Sequence, residues 1–222
     1  MRSARATLPF PPLQLITGEW RDAADLERRI AAALCGGIRW VQLRSKTRSA
    51  RDLFDAAVTV AAMLREAGGN FVVNDRIDAA LAAGANGVHL PESGISASDA
   101  RSLLGPGAWI ACSVHSVDAA GSADPTSVDA IQIGPIFETA SKREFGPPLG
   151  VATLRRAAAA ARERGIAVCA VGGIRGERIG ECIEAGADAV STIGAIWDAE
   201  DVEHAAREAL RELRSARVRR NA

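Results

Sequence analysis

The sequence predicts an α/β fold of the (β/α)₈ type, a TIM barrel, formed by a single domain. Eight apolar runs of strand length alternate with alanine-rich stretches whose apolar residues recur at helical spacing. Strands that alternate with helices in this way form a parallel sheet, and eight such units close a barrel. The length of 222 residues is near the usual size of this fold. An active site is therefore expected in the loops that follow the strands.

The predicted strands are short, and most of them end in polar residues or glycine, which suit a phosphorylated small molecule. In chain order they are LQLI (13–16), IRWVQLR (38–44), NFVVND (70–75), GVHL (87–90), WIACS (109–113), DAIQIG (129–134), IAVCAVGG (166–173) and DAVSTIG (188–194). Helical spacing is clear between them, for example in residues 50–67 and 151–164.

An internal repeat favours a closed barrel over an open sheet. Residues 83–88 read AGANGV before the fourth strand, and residues 185–190 read AGADAV before the eighth. Each copy places a glycine where a helix ends in the left-handed conformation and then begins a buried strand. Because Ala-Gly-Ala is a common helix stop, the count and order of the strands carry the prediction.

The composition predicts a cytoplasmic domain that binds neither nucleic acid nor membrane. Lys plus Arg and Asp plus Glu both number 27, so no net charge attracts polyanions. No apolar stretch could span a bilayer, and residues 1–12 lack the apolar centre of a signal peptide. We expect one domain over residues 1–222 with flexible termini at 1–12 and 215–222. The four cysteines form no CxxC pair, which favours structural thiols.

One predicted connection is much longer than the others. It follows the sixth strand over residues 135–150 and contains Thr139, Ser141, Lys142 and Arg143. A loop of this length in a compact barrel is usually functional or disordered. Its hydroxyls and cations, set between proline and glycine boundaries, predict a lid that closes over an anion.

The ends of the seventh and eighth strands predict a phosphate site. The seventh ends with Gly172 and Gly173, and the eighth ends with Ser191 and Thr192 before a further glycine. Glycine lets the backbone approach phosphate oxygens, and the dipole of a following helix favours their charge.

The second strand predicts another anion site across the barrel mouth. Alternation turns Gln42, Arg44 and Lys46 toward the barrel interior if Val41 and Leu43 pack outward against helices. Two cations inside the mouth are costly to bury without an anionic partner. We therefore expect a negatively charged ligand at this side.

The third strand adds oxygen ligands beside those cations. It ends in Asn74 and Asp75, whose amide and carboxylate oxygens suit a hard cation such as Mg²⁺. A metal held by one or two carboxylates and several phosphate oxygens, with Arg44, Lys46 and Lys142 nearby, describes a diphosphate site. The alternative is a structural ion pair between Arg44 and Asp75 on adjacent strands.

These segments resemble one family over almost the whole chain. The matching segments lie at 41–46 (VQLRSK), 73–76 (VNDR), 87–90 (GVHL), 112–116 (CSVHS), 134–142 (GPIFETASK), 171–174 (VGGI) and 185–190 (AGADAV). Their order and spacing are similar to those of the thiamine-phosphate synthases and the related thiazole tautomerases. The resemblance implies a (β/α)₈ barrel and a transferase that joins hydroxymethylpyrimidine diphosphate to a thiazole phosphate, releasing pyrophosphate with Mg²⁺ bound to it.

The resemblance also implies roles for individual residues. For the pyrimidine and its diphosphate it implies Gln42, Arg44, Lys46 and Asn74, with Ser113 and Lys142 on pyrophosphate and Asp75 as a Mg²⁺ ligand. For the thiazole phosphate it implies Thr139, Ser141, Gly172 and the backbone of Ser191 and Thr192. Ionising the diphosphate concentrates negative charge on pyrophosphate, so cations placed there would act as the catalyst.

Two positions distinguish the synthases from the tautomerases, and they disagree. Synthases usually carry a second metal-binding Asp after the fourth strand, where this chain has Gly94 in a pattern closer to the tautomerases. The tautomerases tend to lose the Asp that follows Asn74, which this chain keeps as Asp75. The set of diphosphate residues outweighs Gly94, so the prediction is a synthase.

His115 keeps two other interpretations open. In the tautomerases the matching histidine resembles the acid/base that moves a proton on the thiazole carboxylate phosphate, a role suited to imidazole. Alternatively, His115 only anchors the loop after the fifth strand. A non-catalytic relative that binds a thiazole phosphate is a third possibility, and the oligomeric state, a homodimer included, stays open. We expect His89 to be packed and hydrogen-bonded, and His204 to lie at the surface.

Overall fold

The computed structural model describes residues 8–139 and 147–221, and these form a closed barrel. Every strand pairs in parallel with the next, and the last pairs with the first. The strands are β1 (Leu13–Ile16), β2 (Trp40–Leu43), β3 (Asn70–Asn74), β4 (Gly87–Leu90), β5 (Trp109–Val114), β6 (Ala130–Ile133), β7 (Ala167–Val171) and β8 (Ala189–Thr192). The predicted (β/α)₈ barrel is confirmed.

Helices between the strands form the outer layer. They are α1 (Ala23–Cys35), α2 (Ala50–Glu66), α3 (Ile77–Ala83), α4 (Ala97–Leu104), α5 (Val117–Ser122), α6 (Gly150–Glu163), α7 (Arg178–Glu184), α8 (Gly194–Trp197) and α9 (Val202–Asn221). Several begin at a residue whose side chain accepts a backbone N–H of the first turn, as Asp22 does for α1 and Ser49 for α2. Gly84 ends α3 with a φ of 65°, and Gly186 precedes β8 with a φ of 105°, as the repeat predicted.

Alternate strand residues divide the core into two parts. Outward residues such as Val41 and Leu43 pack with the helices in one large cluster. Inward residues include Trp40, Trp109 and six smaller ones, and they form a second cluster inside the barrel. Phe10 packs on both tryptophan rings, with centroids 5.1 Å away in each case. The N-terminal end of the barrel is thus filled by aromatic rings.

The described parts of both termini make contacts with the barrel. Besides Phe10, Arg219 at the end of α9 forms an ion pair with Glu184 at 3.0 Å. Flexibility at 1–12 and 215–222 stays a prediction. Within the described residues, no helix is long and apolar enough to cross a bilayer.

The cysteines are free thiols, as predicted. Cys169 and Cys182 are buried, Cys112 is partly buried, and Cys35 is exposed. Burial raises the pKa of Cys112 to about 11 and, with a smaller effect of Glu181, that of Cys182 to about 12. These side chains therefore behave as neutral, apolar groups.

Candidate active site at the carboxyl ends of the strands

The predicted site residues within the described ranges follow or end different strands, so they face the same mouth of the barrel. Arg44 follows β2, Asn74 ends β3, and Gly172 follows β7. Ser113 is the penultimate residue of β5. Active sites of this fold lie at this mouth because the loops after all eight strands meet there.

Arg44 is a half-buried cation at the edge of the mouth. Its backbone N–H donates to Thr17 Oγ1 at 2.9 Å, and that hydroxyl donates to the Arg44 carbonyl at 3.0 Å, which fixes the strand end. Burial lowers the pKa of Arg44, and the charge of Glu19 acts in the opposite direction. The predicted alternative, an Arg44–Asp75 ion pair, does not form, and the guanidinium makes no hydrogen bond to a described residue. An anionic ligand would supply the missing partner.

The loop after β2 is organised by Glu19 from the loop after β1. Its carboxylate accepts from Ser45 Oγ at 2.7 Å, from the Lys46 backbone N–H at 2.8 Å and from Thr47 Oγ1 at 2.9 Å. Burial acts to raise the pKa of Glu19, but these hydrogen bonds outweigh it and lower the pKa. Sequence reasoning missed Glu19, because only the folded chain brings the two loops together.

Gln42 faces the interior as predicted, whereas Lys46 does not. Gln42 is 1% exposed, but the side chain of Lys46 is exposed. The reason is that β2 ends at Leu43, so strand alternation no longer applies three residues later. Lys46 therefore lies at the surface, in the loop that follows β2.

Asp75 occupies an unusual backbone conformation beside the barrel rim. Its φ is 66°, and its backbone N–H donates to the His89 carbonyl at 2.8 Å. Non-glycine residues in this region are uncommon and cluster at functional sites. The exposed carboxylate lies beside Gly94, since a Cβ built there would be 3.1 Å from Asp75 Oδ1. Position 94 is therefore the natural place for a second carboxylate, which this chain lacks.

The donor set around Asp75 fits a metal that is held partly by its ligand. Among the described residues, no three His, Cys, Asp or Glu side chains come together as a potential metal site. Mg²⁺ often uses one or two carboxylates, keeps several waters and takes the remaining oxygens from substrate phosphates. One exposed carboxylate at the rim of the barrel is compatible with that pattern.

Two histidines serve the loops after β4 and β5 differently. His89 is 4% exposed, and its Nε2 lies 2.9 Å from Ser113 Oγ, so the expected packed histidine is confirmed. His115 is exposed, and its Nδ1 lies 2.5 Å from the Gly134 carbonyl oxygen, which requires Nδ1 to donate. His115 Nε2 lies 3.7 Å from Glu92 Oε2. His115 thus anchors its loop and still presents one ring nitrogen outward. His204 is exposed, as expected.

Gly172 and Gly173 are required by a close approach of two loops. Their φ values are 98° and 65°, and a Cβ would lie 2.5 Å from Pro135 Cα or 2.6 Å from the Glu138 carbonyl oxygen, respectively. The backbone N–H of Phe137 donates to the Gly172 carbonyl at 3.0 Å. The segment after β6 therefore packs directly on the predicted phosphate loop.

The predicted lid falls largely outside the described residues. Thr139 is described and partly buried beside that loop, whereas Ser141, Lys142 and Arg143 lie outside the described ranges. The roles of these three residues stay predictions.

At the end of β8, the side chains and the backbone have different surroundings. Ser191 is fully buried, and its Oγ donates to Gln14 Oε1 at 2.8 Å inside the barrel. Thr192 is 2% exposed, and its hydroxyl has no partner among the described residues. The backbone then enters α8 at Gly194, whose first amides have no partner within the helix. The Ser191 side chain is thus used inside the barrel, and a phosphate contact of the Ser191 and Thr192 backbone, which pairs with β1 and, at Ser191, with β7, stays a prediction.

The structure adds two interior residues that sequence reasoning missed, Gln14 and Gln132. They are 1% and 6% exposed and are hydrogen-bonded to each other and to Ser191. A signal was present, because each is the polar residue within a four-residue buried strand, LQLI or AIQI.

A family profile described as thiamine monophosphate synthase matches residues 13–196. The chain belongs to that family. A thiamine-phosphate synthase of Methanoculleus marisnigri is 41% identical over 190 residues, which cover 86% of this chain and 87% of that one. One of Chlorobium luteolum is 40% identical over 208 residues, covering 94% and 95%. The solved thiamine phosphate pyrophosphorylase of Pyrococcus furiosus superposes with a TM-score of 0.82 at 29% identity, over 92% of this chain and 96% of that one.

Proposed function

We propose that this protein is a thiamine-phosphate synthase, a transferase that joins hydroxymethylpyrimidine diphosphate to a thiazole phosphate and releases pyrophosphate. The observation that carries the proposal is the similarity to synthases at about two fifths identity over nearly the full length of both chains. Arg44 at the barrel mouth supports it, because its guanidinium makes no hydrogen bond or ion pair with a described residue and a diphosphate would supply an anion.

The pyrimidine half of the site lies along β2, β3 and β5. Gln42 and Asn74 contact the ring, while Arg44, Lys46, Ser113 and Lys142 contact the diphosphate. The bond between the ring methylene and the diphosphate oxygen breaks, and the electron pair leaves with pyrophosphate. The thiazole nitrogen then donates its lone pair to the methylene carbon and becomes positively charged. Cations at the leaving group stabilise the charge that develops there.

A Mg²⁺ ion is assigned to Asp75 and the diphosphate oxygens. When bound, such an ion neutralises charge on the departing pyrophosphate. Other residues of this chain would also hold the diphosphate: Arg44 supplies a cation on a backbone held by Thr17, and Ser113, bonded to His89, supplies a hydroxyl. With Gly94 in place of a carboxylate, Asp75 is the one protein carboxylate proposed for the ion.

The thiazole phosphate is assigned to the opposite side of the mouth. Gly172, Gly173 and the backbone of Ser191 and Thr192 are the proposed contacts, because two adjacent glycines let the backbone approach phosphate oxygens. Thr139 and Ser141 complete this end from the segment after β6. The two phosphorylated substrates would then meet above the interior of the barrel. The protein's location in the cytoplasm and assembly as a homodimer stay predictions.

A second candidate activity is thiazole tautomerisation with His115 as the acid/base. It is favoured by one observation: His115 donates through Nδ1 to Gly134, so a neutral ring has its basic Nε2 directed outward, beside Glu92. A positioned imidazole typically contributes about 10² to 10⁴ in rate.

The direct test supplies the purified protein with Mg²⁺ and both phosphorylated precursors. Thiamine phosphate and pyrophosphate should form in equal amounts, and Arg44→Ala should reduce the rate by about 100-fold. His115→Ala should leave synthesis within a few-fold of the parent. Isomerisation of the thiazole carboxylate phosphate by the parent, lost in His115→Ala and without any thiamine phosphate formed, would instead establish the tautomerase.

A further inference from the structure

The barrel interior contains a layer of neutral polar side chains between the aromatic end and the mouth. We call Gln14, Gln42, Gln132 and Ser191 the amide layer; they are 1%, 1%, 6% and 0% exposed. Burying an amide costs free energy unless its hydrogen bonds are satisfied. The bonding pattern of this layer therefore indicates what the layer is for.

Gln14 is the centre of the amide layer. Its Oε1 accepts from Ser191 Oγ at 2.8 Å, from Gln132 Nε2 at 3.1 Å and from Gln42 Nε2 at 3.4 Å. Gln132 Nε2 also donates to Ser191 Oγ at 2.8 Å. One oxygen thus holds the nitrogen ends of two neighbouring carboxamides.

This pattern couples the orientation of the three carboxamides. If the amide of Gln14 turned over, its nitrogen would face the nitrogens of Gln42 and Gln132, so both would have to turn as well. Gln14 therefore decides which end the other two present to a ligand.

In the observed arrangement, two carbonyl oxygens remain available. Among the described residues, the Oε1 atoms of Gln42 and Gln132 have no hydrogen-bond partner. Some polar atoms of the described residues are completely buried and have no hydrogen-bond partner, and Gln14 Nε2 is one of them. The Oε1 atoms of Gln42 and Gln132 do not belong to that group, so neither oxygen is completely buried. Both oxygens can therefore accept a hydrogen bond from a ligand.

The position of Gln42 relates these acceptors to the proposed diphosphate site. Gln42 precedes Arg44, the first residue after β2, by two positions, a distance of about 7 Å along extended chain. A ring attached through one methylene to a diphosphate held at Arg44 would reach the amide layer. We propose that Gln14 is a positioning residue that makes the amide layer select a ring bearing an amino group. This inference rests on the proposed function and specifies how its pyrimidine is recognised.

The selectivity follows from matching donors to acceptors. An exocyclic amino group donates to the two carbonyl oxygens. An exocyclic carbonyl oxygen at the same place would face them and leave all three oxygens without a hydrogen-bond donor. Sites that hydrogen-bond a substrate N–H reject analogues lacking it far more strongly than apolar pockets reject a missing methylene.

The test compares the aminopyrimidine diphosphate with its analogue in which oxygen replaces the amino group. Calorimetric Kd values and kcat/KM should both favour the amino compound in the parent protein, by about 10³-fold in kcat/KM. Gln14→Met keeps the size of the side chain but removes its acceptor, so Gln42 and Gln132 can turn over. The preference should fall at least 10-fold, through the KM for the pyrimidine, with the KM for the thiazole phosphate unchanged.

Cys169→Ala is the matched control, because it shortens a 1% exposed side chain of the same interior, at the position paired with Gln132 between β6 and β7, and that side chain takes part in none of the hydrogen bonds of the amide layer. Its preference should equal that of the parent. Equal losses in Cys169→Ala and Gln14→Met would overturn the proposal, as would a parent that binds both compounds equally. Gln132→Leu tests the same preference if Gln14→Met does not fold. A parent that binds the amino compound selectively but forms no thiamine phosphate contradicts the proposed function alone.

Discussion

The two ends of the barrel are built from the same strands but from different chemistry. At the N-terminal end, Phe10, Trp40 and Trp109 fill the interior, with the tryptophan rings edge to face at 5.3 Å. At the other end, the inward positions become amides, and then Arg44 and Asp75 at the rim. The change takes five residues, from Trp40 and Gln42 in β2 to Arg44 directly after it.

Each end leaves polar groups unpaired, but with opposite consequences. The indole N–H groups of Trp40 and Trp109 are buried without a partner among the described residues. There the loss is offset by aromatic packing, and ring burial can be worth several kcal/mol. At the mouth, the half-buried Arg44 has no side-chain partner within 8–139 and 147–221, and a ligand can reach it. The comparison indicates that the closed end contributes stability and the open end contributes binding and chemistry.

The largest expected effect is on stability and comes from the closed end. Trp40→Ala should lower the free energy of unfolding by about 3–5 kcal/mol, because it leaves a large cavity between Phe10 and Trp109. The melting temperature should fall by roughly 10 °C. Thiamine phosphate synthesis at 25 °C should stay within a few-fold of the parent.

Trp40→Phe is the control for this change. It keeps an aromatic ring and removes one unpaired N–H, so most of the stability should return. A loss of synthesis in Trp40→Ala that exceeds its loss of folded protein would break the division between the two ends.

The next effect is on activity and comes from the rim. Asp75→Asn should reduce synthesis by about 100-fold, because the variant lacks the carboxylate assigned to Mg²⁺. Asparagine tolerates the left-handed conformation at this position, so the melting temperature should not change. The measurements are the rate as a function of Mg²⁺ concentration and a thermal melt. An unchanged rate at every Mg²⁺ concentration would remove Asp75 from the site.

A smaller effect is expected from restoring the missing carboxylate. Gly94→Asp places a second acid beside Asp75 and should lower the half-saturating Mg²⁺ concentration by about tenfold. Gly94→Asn has the same shape without the charge and serves as the control. Stabilisation of the fold by Mg²⁺ and pyrophosphate, followed by melting, gives a readout that does not depend on activity. Equal behaviour of the two variants would show that position 94 does not reach the ion.

The smallest effect concerns a buried carboxylate in the helical layer beneath the mouth. Asp25 has a 2% exposed side chain and ion pairs with Arg21, Arg28 and Arg29. Burial acts to raise its pKa, but the backbone N–H of Arg21 and the arginine contacts outweigh it and lower the pKa to about 2. Because the pKa is depressed on folding, the stabilisation is complete above the unfolded value near 4 and is lost as pH falls toward 2.

Asp25→Asn should therefore lower the free energy of unfolding at pH 7 by on the order of 1 kcal/mol relative to the parent. The difference should shrink between pH 4 and pH 2, as measured by urea unfolding at each pH. A difference that grows at acid pH would reverse the assigned sign. The same urea series on Trp40→Ala should show no such dependence, since no charge is involved.

The order of the strands could be predicted from the sequence because each is a compact apolar run bounded by helix stops. The bounds that the sequence predicts for LQLI and GVHL are those of β1 and β4 in the structure, and the repeat around Gly84 and Gly186 marks two helix ends. Local sequence suffices there, since the backbone conformation of a glycine and the burial of a short apolar run depend on near neighbours.

The site could be predicted only in part. The face of Gln42 followed from alternation, but Lys46 lay beyond the strand end, where alternation no longer applies. Glu19 and Ser45 are 26 residues apart in sequence, and Gln14 and Ser191 are 177 apart. No local pattern relates residues so far apart.

By itself, the sequence determined the eight strands, their order and the polar residues at their ends, because these depend on periodicity and on chain direction. Only the tertiary structure decided which of those residues meet. Closure of β8 onto β1 brings Ser191 to Gln14, and the packing of the β6 segment on β7 makes Gly172 and Gly173 necessary. The physical reason is that hydrogen bonds and steric contacts depend on distances of a few ångströms, which barrel closure sets and residue spacing along the chain does not.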